Sequence, residues 1–330
     1  MEHTGLRRVS SSPHIRAEHT IASIMLEVII ALVPAGAVAV YFFGWRALLI
    51  MAVTVASSVA WEWVYNRIAK KPQTIGDLSA VVTGLLLAFN LPVTVPVLIP
   101  IIGSFLAIVL VKQFFGGIGA NFLNPALAAR AILMVSWVGY MTGSAFSAAV
   151  RGVEMVAATT SATTAATGAV DAVTAATPLA MAGNYSLVQL FVGQCAGSLG
   201  EVSKLALLVG GIYLIVRRII SWKVPVLMIA TVFVAKWISS GSVNDALYAI
   251  LSGGLFLGAF FMATDYATSP VTSTGRIIMG VGCGVLTFVI RELSPMPEGV
   301  SYAILIMNLA VPLIDRYTKP RVYGEVKRHA

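Results

Sequence analysis

Residues 22–43 read Ala22-Ser-Ile-Met-Leu-Glu27-Val-Ile-Ile-Ala-Leu-Val-Pro34-Ala-Gly-Ala-Val-Ala-Val-Tyr-Phe-Phe43, an apolar run with one charge. At about 1.5 Å of rise per residue, such a run reaches across a hydrocarbon core of about 30 Å, and that length decides the fold. No water is present in that core to satisfy backbone N–H and C=O groups, so the segment must bond within itself as a helix. Comparable runs follow at 47–66, 77–91, 94–113, 121–139, 202–219, 224–239, 244–264, 275–293 and 299–316. The pattern predicts an all-α polytopic integral membrane protein with about ten transmembrane helices.

Composition points the same way. Of 330 residues, 58% are hydrophobic and 11% charged, with a mean hydropathy of +0.88. Soluble domains carry roughly a quarter charged residues, so that class is excluded. The span at 77–91 is short and runs into Asn90-Leu-Pro92, which reads as a broken or half helix, tolerated only where protein covers its backbone. The apolar piece 187–199 is too short to cross and reads as re-entrant.

Laying the ten spans out as alternating crossings places 16 of the 22 Lys and Arg on the side of the N-terminus, five on the other side, and Arg130 within a span. The positive-inside bias predicts that both termini are cytoplasmic and that the loop 140–186 is on the outer face. Trp61, Trp63, Tyr65 and Trp222 fall at predicted boundaries, as an interfacial aromatic belt would. The net charge of +8 is therefore topological and implies no nucleic-acid partner. Residues 1–20 are polar and basic, with no apolar core of a cleavable signal, so the first span is expected to direct insertion.

Segments 77–139 and 244–316 share an order: an apolar piece containing Thr83-Gly84-Leu or Gly253-Gly254-Leu, a Pro/Thr turn, a long span, a Gly-rich turn and another span. In the predicted topology they run in opposite directions. That predicts two inverted repeats, with broken helices meeting near the midplane. The expected organisation is a cytoplasmic tail at 1–20, a first membrane repeat at 21–139, an extracytoplasmic loop at 140–186, a second repeat at 187–316 and a cytoplasmic tail at 317–330.

Chemistry-bearing residues are few. The histidines, at 3, 14, 19 and 329, all lie in the tails, which excludes haem held by paired transmembrane histidines. Cys195 and Cys283 sit among glycines and have no metal-ligand spacing. They read either as small packing residues or as part of an iron–sulfur site shared with another chain. Glu27, Arg130 and Asp265 fall at or near membrane depth, where ionisable groups are costly and usually functional. Glu27 is close enough to its end of the span to snorkel. In Gly119-Ala-Asn121-Phe-Leu-Asn124-Pro125, an Asn before a Pro opens a helix; Asn121 and Asn124 either cap it or hydrogen-bond the polar edge of a bound ring.

The outer loop carries the most specific pattern. Asp171-Ala-Val-Thr174-Ala-Ala-Thr177 has the form Asp-x-x-[Ser/Thr]-[Gly/Ala]-Ala-Thr, on which dedicated transferases esterify FMN to the last threonine through its phosphate. A hydroxyl on a flexible, small-residue loop can enter a modifying enzyme. The phosphodiester leaves the isoalloxazine ring free to take electrons. The alternative from the residues alone is a low-complexity linker whose Thr and Ala content produces the heptad.

Five motifs occur in order along essentially the whole chain. They are Ser10-Ser-Ser-Pro13-His14, Asn121-Phe-Leu-Asn124-Pro125-Ala, the heptad with Pro178-Leu, Phe261-Met-Ala-Thr-Asp265, and Pro297 to Asn308 continuing to Pro312-Leu-Ile-Asp-Arg316. Together they resemble the RnfD family, a membrane component of the bacterial Rnf electron-transport complex. The related membrane component of the sodium-translocating NADH:quinone oxidoreductase is less similar, given the short N-terminus and the ending Pro320-Arg-Val-Tyr323-Gly. The resemblance implies a flavoprotein subunit of an ion-translocating ferredoxin:NAD+ oxidoreductase in the bacterial cytoplasmic membrane, not catalytic alone. It implies covalent FMN on Thr177, positioned by Asp171 and Thr174, and a noncovalent riboflavin nearer the cytoplasm. Asn121, Asn124 and Asp265 are candidates for the riboflavin pocket or the ion path. Implied partners are the A, B, C, E and G components of the Rnf complex and, for maturation, FAD:protein FMN transferase. Ala175 stands where the family often has Gly, an exchange of small residues. Two other classes fit inverted repeats and broken helices: a flavin-free channel or secondary transporter, and a scaffold within a membrane complex.

Overall fold

The computed structural model describes residues 20–141, 186–193, 195, 197–294 and 299–319, and among them it is all-helical. Thr20 caps α1 (Ile21–Phe43) by accepting from the Ser23 amide at 3.2 Å. Gly44 alone, at φ +75°, joins it to α2 (Trp45–Ile68). The turn is so tight that only a residue without Cβ takes it readily. Helix α3 (Ser79–Phe89) stops at Asn90, and α4 (Leu98–Gln113) changes to π-helical winding from Leu106. Helix α5 is Pro125–Ser136, α6 is Leu187–Val192 and α7 is Lys204–Val216. Then come α8 (Lys223–Ser240), the pair α9 (Val243–Leu251) and α10 (Leu255–Met262), α11 (Ser273–Leu293) and α12 (Gly299–Thr318).

All ten runs read from the sequence therefore fall on helices, but their lengths differ from the expectation. Five helices, α1, α2, α8, α11 and α12, are long and apolar enough to cross a membrane. The pair α9 and α10 makes a sixth if it is one span, bent by 67° at its break. Helices α3, α4, α5 and α7 are shorter. At 11 residues, α3 is about 16 Å long, roughly half the apolar thickness. The sequence overstated these four because their turns are themselves apolar: hydropathy does not register that Asn124 begins α5 only at Pro125, or that Trp137 ends it.

Small residues set the packing, as expected where no hydrophobic force draws helices together in lipid. Helix α2 packs on α3 and α4, α8 on α9 and α11, and α1 on α7. A Cβ at Gly84 would lie 2.9 Å from the Val55 Cα, and one at Gly284 would lie 2.9 Å from the Met228 carbonyl. The 187–199 piece contains the short helix α6, and the chain turns back at Gly193 (φ +114°) against the Val202 carbonyl. It then runs beside the end of α3, where the Gly200 and Leu199 amides donate to the Phe89 and Leu91 carbonyls at 2.8 and 3.1 Å.

Candidate functional site

Several clusters of polar groups lie inside this apolar frame, and two of them bear on the candidate site. The first gathers residues that the sequence singled out separately. Asn124 accepts from the Ala126 and Leu127 amides at 3.1 and 3.3 Å, so it caps α5 as its place before Pro125 predicts. Its Nδ2 donates to the Met262 carbonyl at 3.3 Å, reaching across 138 residues of sequence to the end of α10. Three residues on, Asp265 accepts from the Thr268 hydroxyl at 3.2 Å and closes the turn before α11. Burial pushes the Asp265 carboxyl above the usual carboxylate range, and the bonds from Thr268 and the Ala267 and Tyr266 amides pull it part of the way back. Asn308 of α12, with its amide oriented to satisfy both ends, donates to the Thr268 carbonyl and accepts from the Asn124 amide, each at 3.2 Å.

Asn121 is buried and donates to the Leu123 carbonyl at 3.2 Å. Beside it, the exposed rings of Phe115 and Phe122 meet edge to face, 4.7 Å apart, across a turn in which Gly116, Gly117 and Gly119 all have positive φ. The structure thus brings Asn124 and the Asp265 turn together, with Asn121 three residues from Asn124. Both functions read for Asn124 compete for one amide, and the cap uses its oxygen. Thr177, Asp171 and Thr174 lie outside the described residues, as does most of the 140–186 loop.

The second cluster is where interrupted helices converge. Asn90, at the end of α3, donates to the Leu86 carbonyl at 2.7 Å and accepts from Arg130 of α5. Arg130 faces Glu201 at 3.6 Å, and both side chains are about 4% exposed. Lys204, buried at the start of α7, donates to the Glu201 carbonyl. Arg291 of α11 donates to the Ala249 and Ser252 carbonyls at the α9–α10 break, at 2.8 and 3.2 Å. A small cavity, with room for about one water, is bounded by Asn90, Arg130, Glu201, Gly254 and Ser301.

Sequence reading marked Arg130 but passed over Glu201, which lies just before the apolar run 202–219. Its inward placement depends on Gly200, where a Cβ would sit 2.5 Å from the Phe89 Cβ. An acid between two apolar runs was the available signal. Glu27 meets Tyr213 of α7 and Arg217 just past its end instead of snorkelling alone. Cys195 and Cys283 are both buried, and no cluster of His, Cys, Asp or Glu able to hold a metal occurs among the described residues.

Long apolar helices, interrupted helices and a buried charged junction define a polytopic membrane protein. The chain belongs to the NQR2, RnfD, RnfE family, whose pattern it matches over residues 8–324. It is 51% identical to the D component of the Na(+)-translocating ferredoxin:NAD(+) oxidoreductase complex of Acetobacterium woodii, over 97% of this chain and 96% of that one. It is 41% identical to the D component of the proton-translocating ferredoxin:NAD(+) oxidoreductase complex of Clostridium ljungdahlii, over 96% of each. A third relative, the D component of the ion-translocating oxidoreductase complex of Stutzerimonas stutzeri, is 38% identical over 92% of each.

Proposed function

We propose that this chain is the flavin-carrying membrane subunit of an Rnf-type ferredoxin:NAD+ oxidoreductase, relaying electrons across the bacterial cytoplasmic membrane in a complex that moves Na+ or H+. The observation that carries this reading is 51% identity to the D component of such a complex along nearly the whole chain, in a sequence that keeps the Asp171-to-Thr177 heptad intact. Its partners are then the A, B, C, E and G components of the Rnf complex, and FAD:protein FMN transferase is the enzyme that loads it.

In this reading the Thr177 hydroxyl is the phosphoryl acceptor, with Asp171 and Thr174 presenting it to the transferase. Bound flavin supplies the one- and two-electron chemistry that no side chain here can. The Asn121, Asn124 and Asp265 region fits a second, noncovalent flavin: exposed Phe115 and Phe122 offer faces for a planar ring. Backbone in the neighbouring glycine turn can approach a ligand closely. Asn124 ties that region to the end of α10, and Asn308 ties it to the turn at Thr268.

Packing supports the inverted-repeat reading. The way α2 meets α3 and α4 is matched by the way α8 meets α9 and α11, and the leading helices of the two halves, α1 and α7, pack on each other. Arg46 donates to the Val93, Thr94 and Val95 carbonyls after α3 at 2.9, 3.2 and 3.4 Å. Arg291 serves the second break in the same way. Orientation gains support too, because Arg46, Lys204, Lys236 and Arg291, four of the five counted on the outer side, serve internal bonds, as against Lys112, Arg217, Lys223 and Arg276 among the sixteen counted inside. Setting these aside widens the positive-inside bias, with both termini cytoplasmic and Thr177 outside.

The test is intact mass and in-gel fluorescence of the chain co-produced with the transferase, as wild type and as Thr177→Ala. A gain of about 438 Da in wild type alone, the mass of FMN joined as a phosphodiester, is expected. No adduct in either, with the transferase active on another target, would refute the reading and leave a flavin-free transporter.

A further inference from the structure

Where broken helices meet in ion-transporting membrane proteins, the freed carbonyls and helix C-terminal ends commonly hold a travelling cation. In this chain many of those oxygens are taken by the protein itself. At the end of α3, Leu86 O accepts from Asn90 Nδ2 at 2.7 Å, and Leu87 O and Ala88 O accept from the Asn90 and Leu91 amides at 2.9 and 3.0 Å. Phe89 O and Leu91 O accept from the Gly200 and Leu199 amides. Beyond them, Val93, Thr94 and Val95 are held by Arg46. At the second break, Ala249 and Ser252 are held by Arg291, and Tyr248 O accepts from the Ser252 hydroxyl at 2.6 Å.

One carboxylate and one side-chain amide oxygen face the cavity between the breaks, those of Glu201 and Asn90. Arg130 engages both, bonding to Asn90 Oδ1 and lying 3.6 Å from Glu201 Oε1. Buried Lys204 and half-buried Arg291 add two more positive charges around the same junction. A cation arriving there would meet a fixed positive charge in the place its own ligands would otherwise form.

We infer that Arg130 is a tethered cation that seals the half-helix junction against Na+ and protons, so that this protein passes electrons without short-circuiting the ion gradient. A fixed guanidinium at a constriction is an electrostatic barrier of the kind that excludes cations from water pores. The inference rests on reading the chain as part of a gradient-forming complex, because only there does a leak carry a cost. It also assigns the Arg130–Glu201 pair a role that neither flavin requires.

The experiment is passive permeability of the whole complex in liposomes, with no electron donor present, using 22Na+ uptake and an entrapped pH dye. Wild type and Arg130→Lys, which keeps the charge, are expected to be equally tight. Arg130→Ala frees Glu201 and Asn90 as oxygen ligands and opens the space of a large side chain. It should raise Na+ or H+ entry by more than about tenfold, a modest effect for removing a unit charge a few ångströms from a path. An assembled Arg130→Ala complex as tight as wild type would overturn the inference, and so would Arg130→Lys leaking as much as Arg130→Ala, since packing rather than charge would then be the cause. Should Arg130→Ala fail to assemble, Arg130→Gln/Glu201→Gln removes both partners of the buried pair, a change such pairs tolerate better. Leakage in that variant supports the seal, and tightness refutes it. Flavin loading on Thr177 is read separately by mass, so failure of the seal and failure of the flavin assignment are distinguishable.

Discussion

Replacing Lys112 by methionine tests how polar groups survive inside this chain. Glu62 of α2 is fully buried and accepts from Lys112 Nζ at 3.0 and 3.2 Å, from Gln113 Nε2 at 2.9 Å and from Thr74 Oγ1 at 2.7 Å. Lys112, 2% exposed, also donates to Ser79 at the start of α3, so the pair joins α2, α3 and α4. Methionine keeps the length and apolar stem of lysine but removes the charge. Glu62 is then left with two neutral donors and no counter-ion. Breaking a buried pair from one side costs about 3–5 kcal/mol, because the remaining charge has lost its compensation. At roughly 2 °C per kcal/mol, the low end for chains of a few hundred residues, the melting temperature should fall by about 6–10 °C. The assay is thermal unfolding in detergent, followed by a thiol-reactive dye reporting exposure of buried Cys195 and Cys283. Glu62→Gln/Lys112→Met, lacking both charges, should recover most of the loss. Lys112→Met melting within about 2 °C of wild type, on the same scale, would refute the reasoning, as would a double variant no more stable than the single one.

Three further outcomes are expected. Gly210→Val would drive a side chain into the Ala31 carbonyl and the Phe261 ring where α7 crosses α1; size-exclusion profiles should show loss of the folded chain, whereas Gly76→Ala, exposed and with open space for a Cβ, should not. Asn124→Ala removes the α5 cap and the bond to Met262, so stability should fall by about 1–3 kcal/mol, measured as above. If that region holds the noncovalent flavin, extractable riboflavin should fall as well while the Thr177 adduct stays. Asp265→Ala should slow ion-coupled electron transfer in vesicles and leave Thr177 flavinylated; ion pumping at the wild-type rate would remove Asp265 from the mechanism.

How much of this was legible in the sequence varies with what each residue depends on. The ten helical segments were, because each is a predominantly apolar run and lipid permits few alternatives for such a run. So was the break after α3, announced by Asn90-Leu-Pro92, and so was the cap at Asn124 before Pro125. Helix lengths were not, since an apolar turn and an apolar helix have the same hydropathy, and α3, α4, α5 and α7 came out shorter than their runs.

By itself the sequence determined that the chain is helical and membrane-embedded, and which ordered motifs place it in the RnfD family. These properties are local, set by composition and spacing within tens of residues. Tertiary structure decided the partners of the inward-facing charges: Lys112 with Glu62, Arg130 with Asn90 and Glu201, and half-buried Arg291 with the carbonyls of a broken helix. Each of those contacts joins residues some 40 to 70 positions apart and depends on a close approach, such as Gly200 against Phe89. A buried charge costs several kcal/mol until such a partner arrives, and one-dimensional sequence does not specify which partner the packing brings.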